Sequence, residues 1–411
     1  MGSLDAAAPG RYPTGHHNPG AWMPEAYRRL AALLGALTAL GPLGVDMYLP
    51  AFPTMGADLS ASPAAVQRTL ATFLFGMAAG QLVVGPLADR YGRRLPLIAG
   101  LGLFGLASLG CALAASAEAL AWLRLVQALG GCAGMVVARA VVRDLCDERG
   151  AVRMMAMLML VMGAAPILAP MLGGALVAAF GWRAIFWVLA AYAAAALVLV
   201  ALALPESLPP ERRRRDNLVA VLAVYLQILR DRRFLAHALA GAVPMLGLFA
   251  YLVGSPHVLM GRHGLSPMEY GVAFGSNAFG LILASQIVSR LVRRSVAPSH
   301  LLVRALMLCA VAGLLVPLAV ATGALWPLLA SLFLYLSVMG AVLPMASALA
   351  MAPLGRVAGS ASAVIGTLQF GGGALVGVLL GALGGGSPWP MALVLGGAGL
   401  GGLALHLTLR R

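Results

Sequence analysis

Two charged side chains lie deep within apolar segments of this 411-residue sequence: Asp46 in "LGPLGVDMYLP" and Arg124 in "EALAWLRLVQALGG". A charge at the centre of a bilayer costs at least about 2.5–3.5 kcal/mol, so such residues generally have a functional role. Asp46 lies four residues before Pro50, and Arg124 lies six residues after Glu118. At a rise of 1.5 Å per residue, both lie roughly 6–9 Å below the same membrane surface.

A carboxylate at this depth is neutral or charged depending on its hydration and on neighbours such as Arg124 or a bound substrate. Proton binding and substrate binding then become alternative ways of satisfying one site, which is the property that a proton-coupled exchanger needs. The structural alternative is that Asp46 only hydrogen-bonds backbone groups near the "YLP" break. For Arg124 a functional and a structural role stay equally open.

A second group of charges lies in "GPLADRYGRRLP", residues 85–96. Its arginines, among them Arg90 and Arg93, fit the excess of basic residues in cytoplasmic loops. That rule accounts for neither Asp89 nor Gly85. A glycine near a helix end permits close approach of a neighbouring helix, and the acid can then face the positive N-terminal end of that helix. A weaker copy of the motif, "SQIVSRLVRR" at 285–294, has Ser289 where the acid would be.

The composition defines the class that must position these residues. Hydrophobic residues make up 61% of the chain, charged residues 10%, and the mean hydropathy is +0.91. Soluble domains are about half apolar and a quarter charged. The runs 305–355 and 357–409 contain no Asp, Glu, Lys or Arg, and each is long enough for two spans of about 20 residues. The four cysteines are scattered singly, without disulfide or metal-ligand spacing, and we expect no metal or cofactor.

Counting apolar runs predicts an all-α membrane protein with twelve transmembrane helices in two six-helix pseudo-symmetric bundles. The predicted spans are 29–50, 66–88, 96–116, 119–141, 154–178, 184–204, 234–256, 268–290, 301–321, 325–349, 357–382 and 389–408. The predicted units are an N-terminal tail (1–27), a first bundle (28–204), a central loop (205–233), a second bundle (234–408) and a C-terminal tail (409–411). Residues 218–229 are predicted to form a short interfacial helix. "GGALV" occurs at both 173–177 and 372–376, which suggests a duplicated unit of the kind common in transporters.

All 28 basic residues are arginine. If both termini are cytoplasmic and the spans alternate, all but four arginines lie on or beside one face, as the positive-inside rule requires. The exceptions are Arg68, Arg183, Arg262 and the intramembrane Arg124. "RRRR" at 212–215 is therefore interpreted as a topogenic cluster, and no nucleic-acid partner is expected.

Several motifs together resemble the major facilitator superfamily, its drug:proton antiporter group and, within it, the Bcr/CflA subfamily of bicyclomycin- and chloramphenicol-type exporters. They are "DMYLPAFP" (46–53), "GPLADRYGRR" (85–94), "RLVQALGG" (124–131), "RAVVRDL" (139–145), "APILAPMLGGAL" (165–176), "GWRAIFWVLA" (181–190) and "PESLPPERR" (205–213). The resemblance implies a multi-pass protein of the bacterial inner membrane that exports drug-like molecules in exchange for protons, as a monomer in the bilayer.

The resemblance also implies roles for individual residues. Asp46 takes part in proton coupling, and Arg124, with Gln127, braces the first span by donating to its carbonyl groups. Asp89 faces the start of the eleventh span across the two halves, and Arg93 pairs with Asp144. The predicted cytoplasmic latch consists of Gly85, Asp89, Arg90, Arg93 and Asp144. In the fifth span, Pro170, Gly173 and Gly174 resemble the antiporter motif, with a bend or close packing as the two interpretations.

Tyr48, Tyr251, Asn277, Gln286 and Gln369 are the candidate cavity residues. One buried acid in Met-rich surroundings favours a neutral or singly cationic lipophilic substrate over a dianion. The alternatives are export of a metabolite, such as an amino-acid derivative or a siderophore, and, from another class, a membrane-embedded transferase. The transferase would need a clustered catalytic set that the sequence lacks. An ATP-driven pump is disfavoured because no G-x₄-GK[ST] loop is present.

Overall fold

The computed structural model describes residues 25–146, 148–213, 218–294, 296–383 and 387–409. Regular secondary structure in these residues is entirely helical, and twelve helices are long and apolar enough to cross a membrane. The predicted twelve-span fold is therefore confirmed. In lipid, every backbone N–H and C=O group must be paired within the segment, so long apolar runs form helices.

The first half contains six spans and one short helix. Its helices are α1 Glu25–Asp46, α2 Phe52–Asp58, α3 Pro63–Tyr91, α4 Arg94–Ala112, α5 Ala117–Leu145, α6 Glu148–Phe180 and α7 Arg183–Ala203. A turn at Leu49–Ala51 joins α1 to α2. Side-chain caps fix two of the starts: Ala65 N–H donates to Ser62 Oγ at 3.3 Å, and Ala119 N–H to Ser116 Oγ at 3.2 Å. Such caps satisfy N–H groups that a helix start leaves unpaired.

The second half follows a short helix in the central loop. The helices are α8 Leu218–Arg230, α9 Arg232–Ser255, α10 Pro267–Arg293, α11 Pro298–Thr322, α12 Leu325–Met351, α13 Ala358–Leu383 and α14 Trp389–Leu409. A π-helical turn, Pro256–Arg262, continues α9 beyond Ser255. We call the face where α1 and α9 end, and α3 and α10 begin, the outer face; the opposite face is the inner face.

The halves are related by pseudo-symmetry, which is visible in matching glycine contacts. A Cβ on Gly173 of α6 would lie 2.8 Å from the carbonyl carbon of Met47, at the end of α1. A Cβ on Gly372 of α13 would meet the side chain of Leu246 in α9. Both members of the second pair lie 199 residues after those of the first. The "GGALV" repeat therefore marks equivalent helix contacts in the two halves.

Two long helix pairs join the halves: α3 with α13 and α6 with α10. Small residues permit these approaches, because a Cβ on Gly377 would lie 2.7 Å from Ala71 Cβ, and one on Gly271 would lie 3.1 Å from the Pro170 carbonyl oxygen. Close contact of small residues is a main source of helix association in lipid. The short helix predicted at 218–229 is present as α8, whose Tyr225 hydroxyl donates to the Leu82 carbonyl at 3.2 Å.

Candidate transport site

Asp46 is the last residue of α1 and lies where the two halves meet. Its side chain is buried, with 5% of the residue exposed, and it forms no side-chain hydrogen bond or ion pair among the described residues. The structural alternative for Asp46, a hydrogen bond to the backbone near "YLP", is therefore not found among the described residues. The adjoining residues contact both α6 and α10. The Asp46 carboxyl group can therefore exchange one binding partner for another, because no described residue is hydrogen-bonded or ion-paired to it.

Polar groups from the second half form a buried cluster on α9 and α10, and α10 also contacts the turn that follows Asp46. Asn277 Nδ2 donates to Tyr251 OH at 2.9 Å, and Ser255 Oγ lies 3.0 Å from Tyr270 OH. All four polar side chains are buried. The structure therefore brings Tyr251 and Asn277 together and adds Ser255 and Tyr270 on the same two helices.

Arg124 faces the interior of the first half. Its guanidinium donates to Gly44 O at 2.7 Å and to Gln127 Oε1 at 2.6 Å. Gln127 Nε2 in turn donates to Ser108 Oγ at 2.7 Å. The ring of Phe73 lies 4.0 Å from the guanidinium carbon, a cation–π contact that stabilises a buried charge. These partners tie α5 to α1, α3 and α4.

The remaining candidate cavity residues are distributed differently. Tyr48 is completely buried within the first half, where its hydroxyl bonds Thr69 and its ring contacts Phe186 at 5.7 Å. Its role in the cavity stays a prediction. Gln286 is exposed, toward the inner end of α10, and Gln369 of α13 is half-buried. Neither belongs to the buried cluster of Tyr251, Ser255, Tyr270 and Asn277.

The "APMLGG" segment, residues 169–174 of α6, packs between the two halves. Gly173 adjoins the backbone of Met47, and a Cβ on Gly174 would lie 2.8 Å from the carbonyl oxygen of Pro267, at the start of α10. Helix α6 runs unbroken through Pro170. Close packing therefore explains both glycines. Their role in bending stays a prediction.

The charged motif of residues 85–96 forms a cluster within the first half. Arg93 Nε donates to Asp144 Oδ2 at 2.8 Å, Arg93 also pairs with Asp89, and Ser207 Oγ donates to Asp144 at 3.2 Å. Burial by itself would lower the pKa of Arg93, but the hydrogen bonds and charges of Asp144 and Asp89 outweigh it and raise that pKa, so the guanidinium stays charged.

Two expectations for this motif find no counterpart in the described residues. Asp89 forms no hydrogen bond to α13 among them. A Cβ on Gly85 would meet no atom of the described residues within 4 Å, and the close approach expected there stays a prediction. Arg90 lies beside the ring of Tyr91, with its guanidinium carbon 5.6 Å from the centroid. On this face, contacts between the halves come instead from Arg139, which reaches Ser362 Oγ at 3.4 Å, and from α8.

Glu206 is a member of this cluster that the sequence interpretation missed. Its carboxylate accepts from the backbone N–H groups of Arg93 at 2.8 Å and Arg94 at 3.2 Å, at the start of α4. An anion at a helix N-terminus is stabilised by unpaired N–H groups and by the helix dipole. The available signal was an acid close to many arginines, in the "PES" segment that begins the central loop.

A twelve-helix membrane protein with two pseudo-symmetric halves and a polar site between them has the architecture of a secondary transporter. The sequence model of the Major Facilitator Superfamily matches residues 34–377, and this chain belongs to that family. It is a multi-pass transporter of the bacterial inner membrane that carries small molecules, and not an enzyme.

Relatives and solved structures agree with this assignment. The chain is 38% identical to an uncharacterized MFS-type transporter, YdgK, of Bacillus subtilis, covering 86% of this chain and 88% of the relative. It is 32% identical to a bicyclomycin resistance protein homolog of Haemophilus influenzae (88% and 91% covered) and 33% identical to a chloramphenicol resistance protein of Pseudomonas aeruginosa (86% and 82% covered). A crystal structure of a D-xylose–proton symporter shares the fold, with a TM-score of 0.70 at 16% identity over 92% of this chain and 96% of that one.

Proposed function

We propose that this protein exports drug-like, neutral or singly cationic small molecules from the cytoplasm in exchange for protons, by alternating access. Bicyclomycin- and chloramphenicol-type antibiotics are the substrate classes that its relatives' names suggest. We place both termini in the cytoplasm, with the outer face toward the periplasm, and expect a monomer. The proposed functional units are the bundles of residues 28–204 and 234–408, joined by the loop 205–233.

The observation that carries this proposal is the environment of Asp46. It is buried at the junction of the halves, no arginine among the described residues pairs with it, and the turn that follows it contacts α10. Arg124 is turned away toward Gly44. A carboxyl group without a fixed counter-ion can hold either a proton or a polar or cationic substrate group, and exchange between them couples the two fluxes.

The other site residues have supporting roles in the proposal. Arg124 and Gln127 hold α1 in place, and Gly173 and Gly174 let α1 and α10 close over the outer end of the site. The cluster of Arg93 holds α3, α4 and α5 together at the inner face. In the proposal the latch acts inside the first half, where Arg93 pairs with Asp89 and Asp144, and α8 and α13 carry its effect to the second half.

The test compares Asp46→Asn with Asp58→Asn in proteoliposomes carrying a pH gradient. Asp58 is a matched control because it is an acid at the outer face of the same half, held by Arg183. We expect Asp46→Asn to abolish gradient-driven drug efflux and drug-stimulated proton flux, and Asp58→Asn to retain both. Full efflux by Asp46→Asn would refute the coupling role.

A susceptibility panel in a pump-deficient host identifies the substrate. Protection against chloramphenicol- or bicyclomycin-type drugs that disappears with Asp46→Asn supports the proposal. Proton flux stimulated by an amino-acid derivative or a siderophore, and by none of the drugs, would reassign the protein as a metabolite exporter.

A further inference from the structure

Helix α8 presents a stripe of exposed leucines. Leu222, Leu226 and Leu229 are 57%, 48% and 36% exposed, and their spacings of four and three residues place them on one side of the helix. With 13 residues, α8 is about 20 Å long, too short to cross a hydrocarbon core of about 30 Å. A continuous exposed apolar surface marks a contact with a membrane or with another protein.

A second side of α8 packs against both halves of the protein. Tyr225 and Ile228 are buried, and both belong to an apolar cluster with residues of α9, α12 and α13. The Tyr225 hydroxyl reaches the first half, where it donates to the Leu82 carbonyl of α3 at 3.2 Å. Helix α8 is thereby fixed across the inner part of the contact between α3 and α13.

The third side of α8 is polar. Gln227 and Arg230 are exposed. At about 100° per residue, Arg230 follows Leu226 around the helix axis by about 40°, on the side away from Tyr225. The leucine stripe therefore lies between the packed side and the polar side. This order of sides suits a helix that lies at the membrane surface, in contact with protein, lipid and water.

The charge around α8 is strongly positive. Residues 212–233 contain seven arginines and two acids. One of the acids, Asp231, caps α9 by accepting from the backbone N–H of Arg233 at 2.8 Å. The side chains of Arg230, Arg232 and Arg233 are exposed, and they form no ion pair with the described residues. Because Arg232 begins the seventh span, these arginines lie where the chain enters the membrane.

We propose that α8, together with Arg230, Arg232 and Arg233, forms a binding surface for anionic phospholipids of the leaflet at the inner face. The leucine stripe enters the boundary between headgroups and acyl chains, and the guanidinium groups bind the lipid phosphates with paired N–H donors. Charge complementarity selects the occupant, because each arginine near the surface strengthens the attraction to anionic lipids about fivefold. The surface lies apart from the transport site, so it does not depend on the substrate carried.

Other occupants of this surface would leave different signatures. A second copy of the chain, or another segment of the same chain, would bury the leucines against protein rather than lipid. A free phosphate ion would use the arginines and leave the leucines in water. The test therefore measures the environment of the stripe and the lipid preference of the arginines separately.

The first experiment measures the environment of the stripe in proteoliposomes of the full chain, made from phosphatidylglycerol and phosphatidylcholine. Leu226→Cys and Gln227→Cys each carry a nitroxide, in a background in which the half-buried Cys146 is replaced by serine. We expect the label at 226 to collide mainly with oxygen, which concentrates among acyl chains. The label at 227 should collide mainly with a water-soluble nickel complex. A label at 226 that neither reagent reaches, or that nickel reaches as readily as at 227, would overturn the lipid contact.

The second experiment measures lipid binding to the full chain in detergent micelles, by titration with dioleoylphosphatidylglycerol or dioleoylphosphatidylcholine and detection by native mass spectrometry. We expect the wild type to prefer phosphatidylglycerol. The triple variant Arg230→Gln, Arg232→Gln, Arg233→Gln should bind it about tenfold more weakly or worse. The matched control replaces Arg290, Arg293 and Arg294 by glutamine, since these are exposed arginines of the inner face that belong to the spanning helix α10. The control should bind phosphatidylglycerol within about twofold of the wild type.

Three results would overturn the proposal: equal binding of the two lipids by the wild type, an equal loss in both triple variants, or displacement of phosphatidylglycerol by inorganic phosphate. The cap of α9 uses a backbone N–H of Arg233, so the glutamine variants retain it. Melting curves identify a variant that unfolds, and Arg230→Gln alone, with a loss of about fivefold, then carries the test. Both experiments report lipid contact rather than transport, so their outcome is independent of the proposed function.

Discussion

Gly92→Ala should destabilise the inner face of this transporter more than most substitutions outside the spans. Gly92 has φ +91° and ψ 170°, a region that is essentially restricted to glycine and costs other residues about 1–3 kcal/mol. A Cβ there would also lie 2.8 Å from the Glu206 carboxyl carbon and 3.0 Å from Arg213 Nη2. The carboxylate would have to leave the first N–H groups of α4.

Losing such a cap costs a further ~0.5–2 kcal/mol, so the combined loss is about 1.5–5 kcal/mol. The assay is thermal unfolding of the purified protein in micelles. Gly85→Ala in the same motif is the matched control, because its Cβ would meet open space and alanine favours a helix over glycine by about 1 kcal/mol. A melting temperature for Gly92→Ala equal to that of Gly85→Ala would refute the reasoning.

A double mutant isolates the clash. Glu206→Ala alone removes the cap, but in the Gly92→Ala background it also removes the atoms that the new Cβ meets. The two losses should therefore sum to more than the loss measured in the double mutant, since residues in contact are not additive. Full additivity would show that Glu206 does not adjust to the new side chain, leaving backbone strain as the whole effect.

Three further substitutions test the site and its supports. Gly173→Ala places a Cβ 2.8 Å from the carbonyl carbon of Met47 and should cost about 1–3 kcal/mol by overpacking, seen as slower transport and a lower melting temperature. Exposed Gly397→Ala, with nothing within 4 Å, should neither slow transport nor lower the melting temperature. Asp144→Asn weakens a charged hydrogen bond of buried Arg93. It should shift the equilibrium between the inward- and outward-open forms about fivefold, or near 1 kcal/mol. Distances between spin labels on α3 and α13 measure this shift, and an unchanged distance distribution would contradict the prediction. Arg124→Lys keeps the charge but not the planar fork, so micelle stability should fall by about 1–3 kcal/mol, and unaltered melting would argue against the bracing role.

The sequence by itself determined the twelve spans, the short helix α8 and the special character of Asp46 and Arg124. Apolar run length is decisive in lipid, because every backbone group must be paired within a helix. Isolated charges stand out for the same energetic reason. The pairing of Arg93 with Asp144, expected from the family resemblance, is present as a 2.8 Å hydrogen bond.

Only the tertiary structure decided which face of each helix meets a partner. A membrane helix is apolar toward lipid and toward its neighbours alike. Periodicity therefore does not separate Tyr48, whose hydroxyl bonds Thr69 inside the first half, from Tyr251, whose hydroxyl accepts from Asn277 in the second. Small residues likewise look the same in sequence, yet Gly173 abuts a backbone and Gly85 abuts nothing. The outcome depends on the atoms that the neighbouring helix supplies, and those come from residues far away in the chain.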